Sequence, residues 1–225
     1  MVDSFNESIV SVSWPESWYD GNCRACPRLA RFLDEVKFEN SNYFCKPVPP
    51  FGDPKARLLI VGLAPGKHGA NATGRPFTGD YAGELLYQTL HKFGFANRPE
   101  SLSADDGLEL ADCRITNAVK CLPPQNKPVG EEEKTCNHFL TAEMSAPSVK
   151  VVLALGLLAH RSILRSYGIK LNKYQFGHNR VHRLENGINL INSYHCSRYN
   201  TQTKRLTSQM FEQVFETIRS EINFD

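Results

Sequence analysis

The stretch "RLLIVGLAPGKHGANATGRPFTGD" (residues 57–80) decides the fold. It begins with a near-continuous apolar run, the pattern of a parallel strand that is buried on both faces. Residues 62–80 then contain five glycines and two prolines, and we expect them to form neither strand nor helix. A glycine-rich loop that leaves a buried strand and ends on an acid predicts a ligand site at the edge of the sheet.

Three further apolar runs are predicted strands: "RITNAV" (114–119), "KVVLAL" (150–155) and "INLINSYH" (188–195). Helical patterns separate the strands at residues 83–95, 131–144 and 157–168. Near the C-terminus one apolar stripe repeats every fourth residue, at Leu206, Met210, Val214 and Ile218. This alternation predicts a single-domain α/β/α sandwich over residues 1–225, built on a parallel sheet. Loops that follow the carboxyl ends of the strands are then the candidate site.

Composition narrows the class of protein. The chain has 225 residues, of which 41% are apolar and 22% charged, as expected for one globular domain. Its first thirty residues show no signal-peptide pattern, and no apolar run approaches the roughly 18 residues of a membrane span. We therefore expect a cytoplasmic protein without a membrane partner, associated with the nucleoid if the source is prokaryotic. The net charge of +2 neither indicates nor excludes a polyanionic partner.

The seven cysteines are an odd number, which argues against a disulfide framework. Four of them have spacing suited to a metal: "CRAC" holds Cys23 and Cys26, Cys121 follows the second strand, and Cys136 lies in the next helix. Four thiolates can hold tetrahedral zinc or an iron-sulfur cluster, and spacing does not choose between them. Four buried apolar cysteines are the alternative. We expect the other three not to be ligands: Cys45, Cys113 and Cys196.

Several stretches together resemble the iron-sulfur uracil-DNA glycosylases, most closely family 5 (type b). They run in order from about residue 23 to residue 210: "CRACPRLARF", "FGDPKARLLIVGLAPGKHGANATGRPFTGD", "TNAVKCLPPQNKP", "VVLALG" and "SYHCSRYNTQTKRLT". The resemblance implies the uracil-DNA glycosylase fold and a four-iron four-sulfur (4Fe-4S) cluster on Cys23, Cys26, Cys121 and Cys136. It also implies a cluster-binding N-terminal segment at about residues 18–45.

The implied activity is a monofunctional hydrolase of base excision repair. It would flip uracil, or another deaminated base, out of damaged DNA and cut its N-glycosidic bond, leaving an abasic site. We expect it to act as a monomer. The rival classes are a non-enzymatic iron-sulfur or zinc DNA-binding module and a nucleotide-binding α/β protein. Neither G-x-G-x-x-G nor a P-loop motif occurs in the glycine-rich loop, which disfavours the nucleotide-binding class.

The resemblance assigns two catalytic residues. Family 4 enzymes carry an acid after the first glycine of this loop, where this chain has Leu63. In family 5 the acid that activates water is the aspartate that closes "FTGD", here Asp80. His195, from the "SYH" motif, would donate a hydrogen bond to uracil O2 as negative charge develops. The alternatives are a helix N-cap for Asp80 and a hydrogen-bonded histidine at a strand end for His195.

The base pocket is predicted from the same loops. Phe77 would stack on the flipped base, and the amide of Asn117 would match N3–H and O4 of uracil. Asn126, in "PPQNKP", resembles a family 5 residue, which implies a place near the base or its water. The alternatives are a core aromatic, a strand asparagine bonded to local backbone, and a turn asparagine. Some family 5 members have alanine in place of Asn117. The backbone lining the pocket would come from Gly62, Leu63, Ala64, Pro65 and Gly66.

The last crevice loop, "HCSRYNTQTKR", is predicted to contact DNA. Ser197, Arg198 and Asn200 are the main candidates, for phosphates or for the gap left by the extruded base. Lys204 and Arg205 extend the basic character of the loop. Phosphate contacts would make affinity fall with salt. A solvated basic loop is the alternative.

Overall fold

A six-stranded sheet forms the centre of the molecule. The computed structural model describes residues 14–222, so residues 1–13 and 223–225 of the expected domain lie outside the described part. The strand order is β1-β3-β2-β4-β6-β5. The strands are β1 Phe51–Gly52, β2 Leu58–Gly62, β3 Cys113–Asn117, β4 Val151–Leu155, β5 Val181–Arg183 and β6 Asn189–Ser193.

The four inner strands are parallel, and they are the four strands that the sequence predicts. The edge strands β1 and β5 pair antiparallel with their neighbours and were not predicted. β6 ends at Ser193, so the predicted strand over 188–195 is two residues too long at its carboxyl end. His195 therefore lies beyond the strand, on the loop that follows it.

Seven helices accompany the sheet in the described part of the chain. They are α1 Pro27–Glu39, α2 Ala70–Thr73, α3 Tyr81–Lys92, α4 Gly130–Met144, α5 Leu157–Ser166, α6 Arg198–Gln202 and α7 Ser208–Ile222. The prediction that residues 62–80 contain no helix is wrong, because the single turn α2 lies within them. The predicted C-terminal stripe is correct from Met210 onward, whereas Leu206 precedes α7 and is buried in the same core cluster.

The side chains of β2 alternate between two cores, as they must in a strand covered on both faces. Leu58 and Ile60 pack in the cluster that includes residues of α3 and α7. Leu59 and Val61 pack in the cluster that includes residues of α4 and α5. The arrangement confirms the predicted three-layer, single-domain α/β/α sandwich. No helix within residues 14–222 has the length and apolar character needed to cross a lipid bilayer.

Candidate active site

A close approach of three residues forms the floor of the predicted base pocket. Gly62 pairs with Asn117 at the carboxyl ends of β2 and β3. A Cβ atom on residue 62 would lie 2.5 Å from Asn117 Oδ1 and 2.8 Å from Phe77 Cζ. Asn117 is only 4% exposed, yet its amide makes no hydrogen bond with any described side chain or backbone group. A nearly buried side chain whose amide makes no hydrogen bond within the protein is a candidate for binding a ligand.

Phe77 is held in an unusual backbone conformation. Its φ of 54° lies in the left-handed region, which costs energy for a residue other than glycine. The loop is fixed by the Tyr87 hydroxyl, which donates to the carbonyl of Pro76 at 2.7 Å. A Cβ on residue 83 would lie 1.8 Å from the Phe77 carbonyl oxygen, so only Gly83 fits there. The Phe77 ring lies 6.1 Å from the His195 ring, at 31° to it.

Asp80 has two oxygens in different settings. Oδ1 accepts a hydrogen bond from the Gly83 N–H at 2.9 Å, which confirms that Asp80 is the N-cap of α3. Oδ2 faces the glycine loop, where Cβ atoms on Gly66 and Gly69 would lie 3.8 Å and 2.6 Å from it. Burial raises the pKa of Asp80 above its ordinary value, against the lowering effect of the backbone N–H donors. Capping therefore leaves one carboxylate oxygen directed at the loop.

His195 is anchored through its backbone. Asn200 Nδ2 donates to the His195 carbonyl at 2.8 Å. The side chain approaches Gly156, where an added Cβ would lie 3.5 Å from His195 Cβ. Its Nδ1 is buried and has no hydrogen-bond partner among residues 14–222. Burial lowers the pKa of His195 to about 4, so the imidazole is neutral near pH 7.

The first residues of the glycine loop extend the backbone hydrogen bonding between β2 and β3, and the next residue packs against the cysteines. The carbonyls of Gly62 and Leu63 accept from Ala118 and Val119 at 2.9 Å and 2.8 Å. Ala64 packs against the cysteine cluster, so the loop lies between that cluster and the predicted pocket. Pro65 and Gly66 follow, and the Gly66 carbonyl accepts from Asn71 N–H at 3.1 Å. These contacts hold the loop backbone in place.

Asn126 and the C-terminal loop are less closely tied to this pocket. Asn126 is exposed, has a left-handed φ of 56° and lies in the short turn Pro124–Asn126, which favours the turn interpretation. Ser197 precedes α6, and the exposed Arg198 places its guanidinium 5.9 Å from the ring of Tyr81. Sequence reasoning did not anticipate this approach of Arg198 to Tyr81, which places the C-terminal loop beside the first residue of α3.

The four cysteines with metal-ligand spacing meet in one cluster. Cys23, Cys26, Cys121 and Cys136 pack together with Leu29, Val119 and Phe139. The backbone N–H of Lys120 points at Cys136 Sγ at 3.4 Å. Burial and the neighbouring thiols raise the pKa of Cys26 to about 11. Among residues 14–222, no three His, Cys, Asp or Glu side chains converge closely enough to share one metal ion.

The other three cysteines lie apart from that set. Cys113 and Cys196 are buried in the core beside α3 and α7. Cys45 is buried against Leu33 and Val36, and its sulfur accepts from Asn71 Nδ2 at 3.4 Å. All seven cysteines are free of disulfide bonds.

We predict that Gly62→Ala slows uracil release about tenfold, because the added methyl displaces the Asn117 amide or the Phe77 ring. Single-turnover excision measures the rate. Gly130→Ala is the matched control, since a Cβ there meets nothing within 4 Å. Equal rates for the two variants would contradict the assignment of this pocket.

Comparison with known proteins agrees with this geometry. The family model described as the uracil DNA glycosylase superfamily matches residues 49–219. A type-5 uracil-DNA glycosylase of Thermus thermophilus is 46% identical over 198 residues, covering 85% of this chain and 90% of the relative. One from Pyrobaculum aerophilum is 41% identical and covers 92% and 94%. A type-4 enzyme of Archaeoglobus fulgidus is 29% identical and covers 87% of each. The chain belongs to the type-5 uracil-DNA glycosylases of the uracil DNA glycosylase superfamily.

Proposed function

We propose that this protein hydrolyses the N-glycosidic bond of uracil in DNA and leaves an abasic site. The observation that carries the proposal is the nearly buried Asn117 side chain, whose amide makes no hydrogen bond within the described residues. Its Oδ1 and the Phe77 ring both approach Gly62, and the His195 ring lies 6.1 Å from the Phe77 ring. A pocket with an aromatic face, a free amide and a neutral imidazole suits a flipped pyrimidine. Other deaminated bases are further candidate substrates.

Base recognition rests on Phe77 and Asn117. A flipped base loses its stacking in the duplex. Stacking on an aromatic side chain stabilises the flipped base by about 1 to 3 kcal/mol. The Asn117 amide can donate to uracil O4 and accept from N3–H. Cytosine presents the opposite pattern at both positions, so its binding would leave buried polar groups unpaired. A site of this kind rejects such a mismatch strongly.

Bond cleavage rests on Asp80 and His195. As the bond breaks, the sugar gains positive character and the departing base gains negative charge. The Oδ2 of Asp80, on the glycine-loop side, would orient water towards C1′ and favour the cationic sugar. A neutral His195 would donate a hydrogen bond to uracil O2 that strengthens as the charge develops.

Contacts to DNA outside the pocket are proposed for the C-terminal loop. Arg198 is exposed and suited to a phosphate, and Ser197 lies beside it. Asn200 ties this loop to the site, because its amide donates to the His195 carbonyl. Asn126 remains a proposed contact near the base or its water.

The monomeric state and the cytoplasmic location of the protein stay predictions.

We propose that Cys23, Cys26, Cys121 and Cys136 hold a 4Fe-4S cluster. Their shared packing and the Lys120 N–H directed at Cys136 fit this group, since N–H donors to cysteine sulfur are part of iron-sulfur sites. In such a cluster each thiolate binds its own iron, so the four sulfurs need not converge on one ion. When bound, the cluster would act as a cross-link between the N-terminal segment of residues 18–45 and the sheet.

Purified protein is therefore expected to be brown, with broad absorption near roughly 400 nm and about four irons and four sulfides per chain. Anaerobic purification with iron, sulfide and zinc analysis is the measurement. Cys113→Ser is the matched control and should keep its iron, whereas Cys121→Ser should lose it. Stoichiometric zinc without sulfide would contradict the cluster assignment.

Uracil release from an oligonucleotide duplex with one U·G pair tests the proposed function. Release of free uracil with an abasic product separates the glycosylase from a DNA-binding module, which would bind without release. A matched C·G duplex is the control, and the salt concentration is held fixed because phosphate contacts depend on it. Binding without any release of uracil would contradict the proposal.

A further inference from the structure

A buried charged network lies behind the base pocket. Arg114, Lys120 and Glu143 are all at most 1% exposed. Glu143 Oε1 accepts from the Thr116 hydroxyl at 2.8 Å and from the Lys120 ammonium at 2.5 Å. The Lys120 ammonium also donates to Thr116, and Arg114 Nε lies 3.6 Å from Glu143 Oε2. Three charges that are fully withdrawn from water require an explanation.

The network flanks the residue that reads the base. Thr116 immediately precedes Asn117 and Lys120 follows three residues later, and both bind the same oxygen of Glu143. Successive side chains of a strand point to opposite faces. Thr116 accordingly faces Glu143 on α4, while Asn117 faces the Phe77 ring. One carboxylate oxygen thus fixes both ends of the segment 116–120 from the side opposite the pocket.

The same two elements meet again through the cysteines. Glu143 lies seven residues after Cys136, about two helical turns along the same face of α4. Lys120 is followed directly by Cys121, and its N–H points at Cys136 Sγ. The segment 116–121 is therefore attached to α4 both through the Glu143 carboxylate and at the proposed cluster.

Stability alone is a poor explanation for the network. A buried ion pair often contributes no more than well-packed apolar side chains of similar volume, because desolvation offsets the attraction. What a shared acceptor does provide is a fixed separation between its two donors. We infer that Glu143, Thr116 and Lys120 form a positioning unit that sets the Asn117 amide against a flipped uracil. The inference rests on the proposed function, and none of the three residues is assigned a contact with substrate.

A double-mutant cycle tests this inference. Thr116→Val removes both hydrogen bonds of the Thr116 hydroxyl, to Glu143 and from Lys120, with little change in shape. It is expected to slow single-turnover uracil release about tenfold in the wild-type background. In an Asn117→Ala background the same change should cost less than about twofold, because the amide that it positions is gone. Thr89→Val is the matched control, since Thr89 is buried and its hydroxyl donates only to Leu85 O.

Iron content and thermal midpoint are measured for every variant and should match for the two Thr→Val changes. Equal losses from Thr116→Val in both backgrounds, or an equal loss from Thr89→Val, would overturn the inference. If Thr116→Val does not fold, the cycle is repeated with Lys120→Met combined with Glu143→Gln, which removes the charges of Lys120 and Glu143 together and leaves Arg114 its backbone acceptors, the carbonyls of Pro54 and residue 143. Failure of that variant to fold would also count against a positioning role. Wild-type protein that releases no uracil refutes the proposed function, whereas active protein with an additive cycle refutes only this inference.

Discussion

Replacing His195 with alanine is expected to slow single-turnover uracil release by roughly 100- to 1000-fold, the scale for losing one donor to a developing anion. The imidazole is neutral because burial lowers its pKa to about 4, and its buried Nδ1 has no partner in the described chain. Its hydrogen bond would strengthen mainly in the transition state, so kcat should fall without a matching loss of ground-state affinity.

Binding to abasic DNA separates the roles that His195 could have. The abasic product lacks the base, so His195→Ala should bind it nearly as wild type does, on the same duplexes at fixed salt. His91→Ala, at the far end of α3, is the control histidine and should keep the wild-type rate. Excision within about threefold of wild type, together with collapsed abasic binding, would instead make His195 a DNA contact.

Asp80→Asn is expected to lower the excision rate about 100- to 10,000-fold while leaving the fold intact. Asparagine is as good an N-cap as aspartate, so the hydrogen bond from Gly83 is kept and only the negative charge is lost. Single-turnover kinetics and a thermal midpoint, measured on the same preparation, test both halves of this expectation.

The pH profile and a second variant check the assignment of Asp80. Because burial raises the Asp80 pKa, the acid limb of the wild-type rate should lie above an ordinary aspartate pKa of about 4 and be absent in Asp80→Asn. Asp80→Ala should add a loss of about 1 kcal/mol in the free energy of unfolding, because the cap is removed. A wild-type rate in Asp80→Asn would leave Asp80 with capping alone.

The four inner strands were predictable because a strand covered on both faces must be apolar at nearly every position. The edge strands were not, since two and three residues show no period and pair only through their neighbours. The helix α2 was missed because a single turn lacks an apolar stripe. α7 was found from the repeat of its buried residues, although its first turn was placed too early.

In the site, too, some features follow from local sequence and others depend on the tertiary fold. Asp80 as a cap followed from local sequence, and its approach to Gly69 depended on the path of a loop that no pattern encodes. The role of Glu143 was beyond sequence reasoning, because a lysine and a glutamate 23 residues apart look like two solvated surface charges. Only the tertiary fold buries them together.

Gly83 links two parts of the site that an engineer would wish to vary separately. The Phe77 carbonyl occupies the space where a Cβ of residue 83 would lie, and the Gly83 N–H donates to the Asp80 carboxylate. A substitution that reshapes the ring position to admit a larger lesion would move this first turn of α3, and the acid with it. Libraries that aim at a new base preference should therefore vary residue 77 together with the neighbouring positions 81, 82 and 84 of this turn. Asp80 and Gly83 should be kept, since screens of residue 77 alone would register mostly variants with a misaligned Asp80 carboxylate.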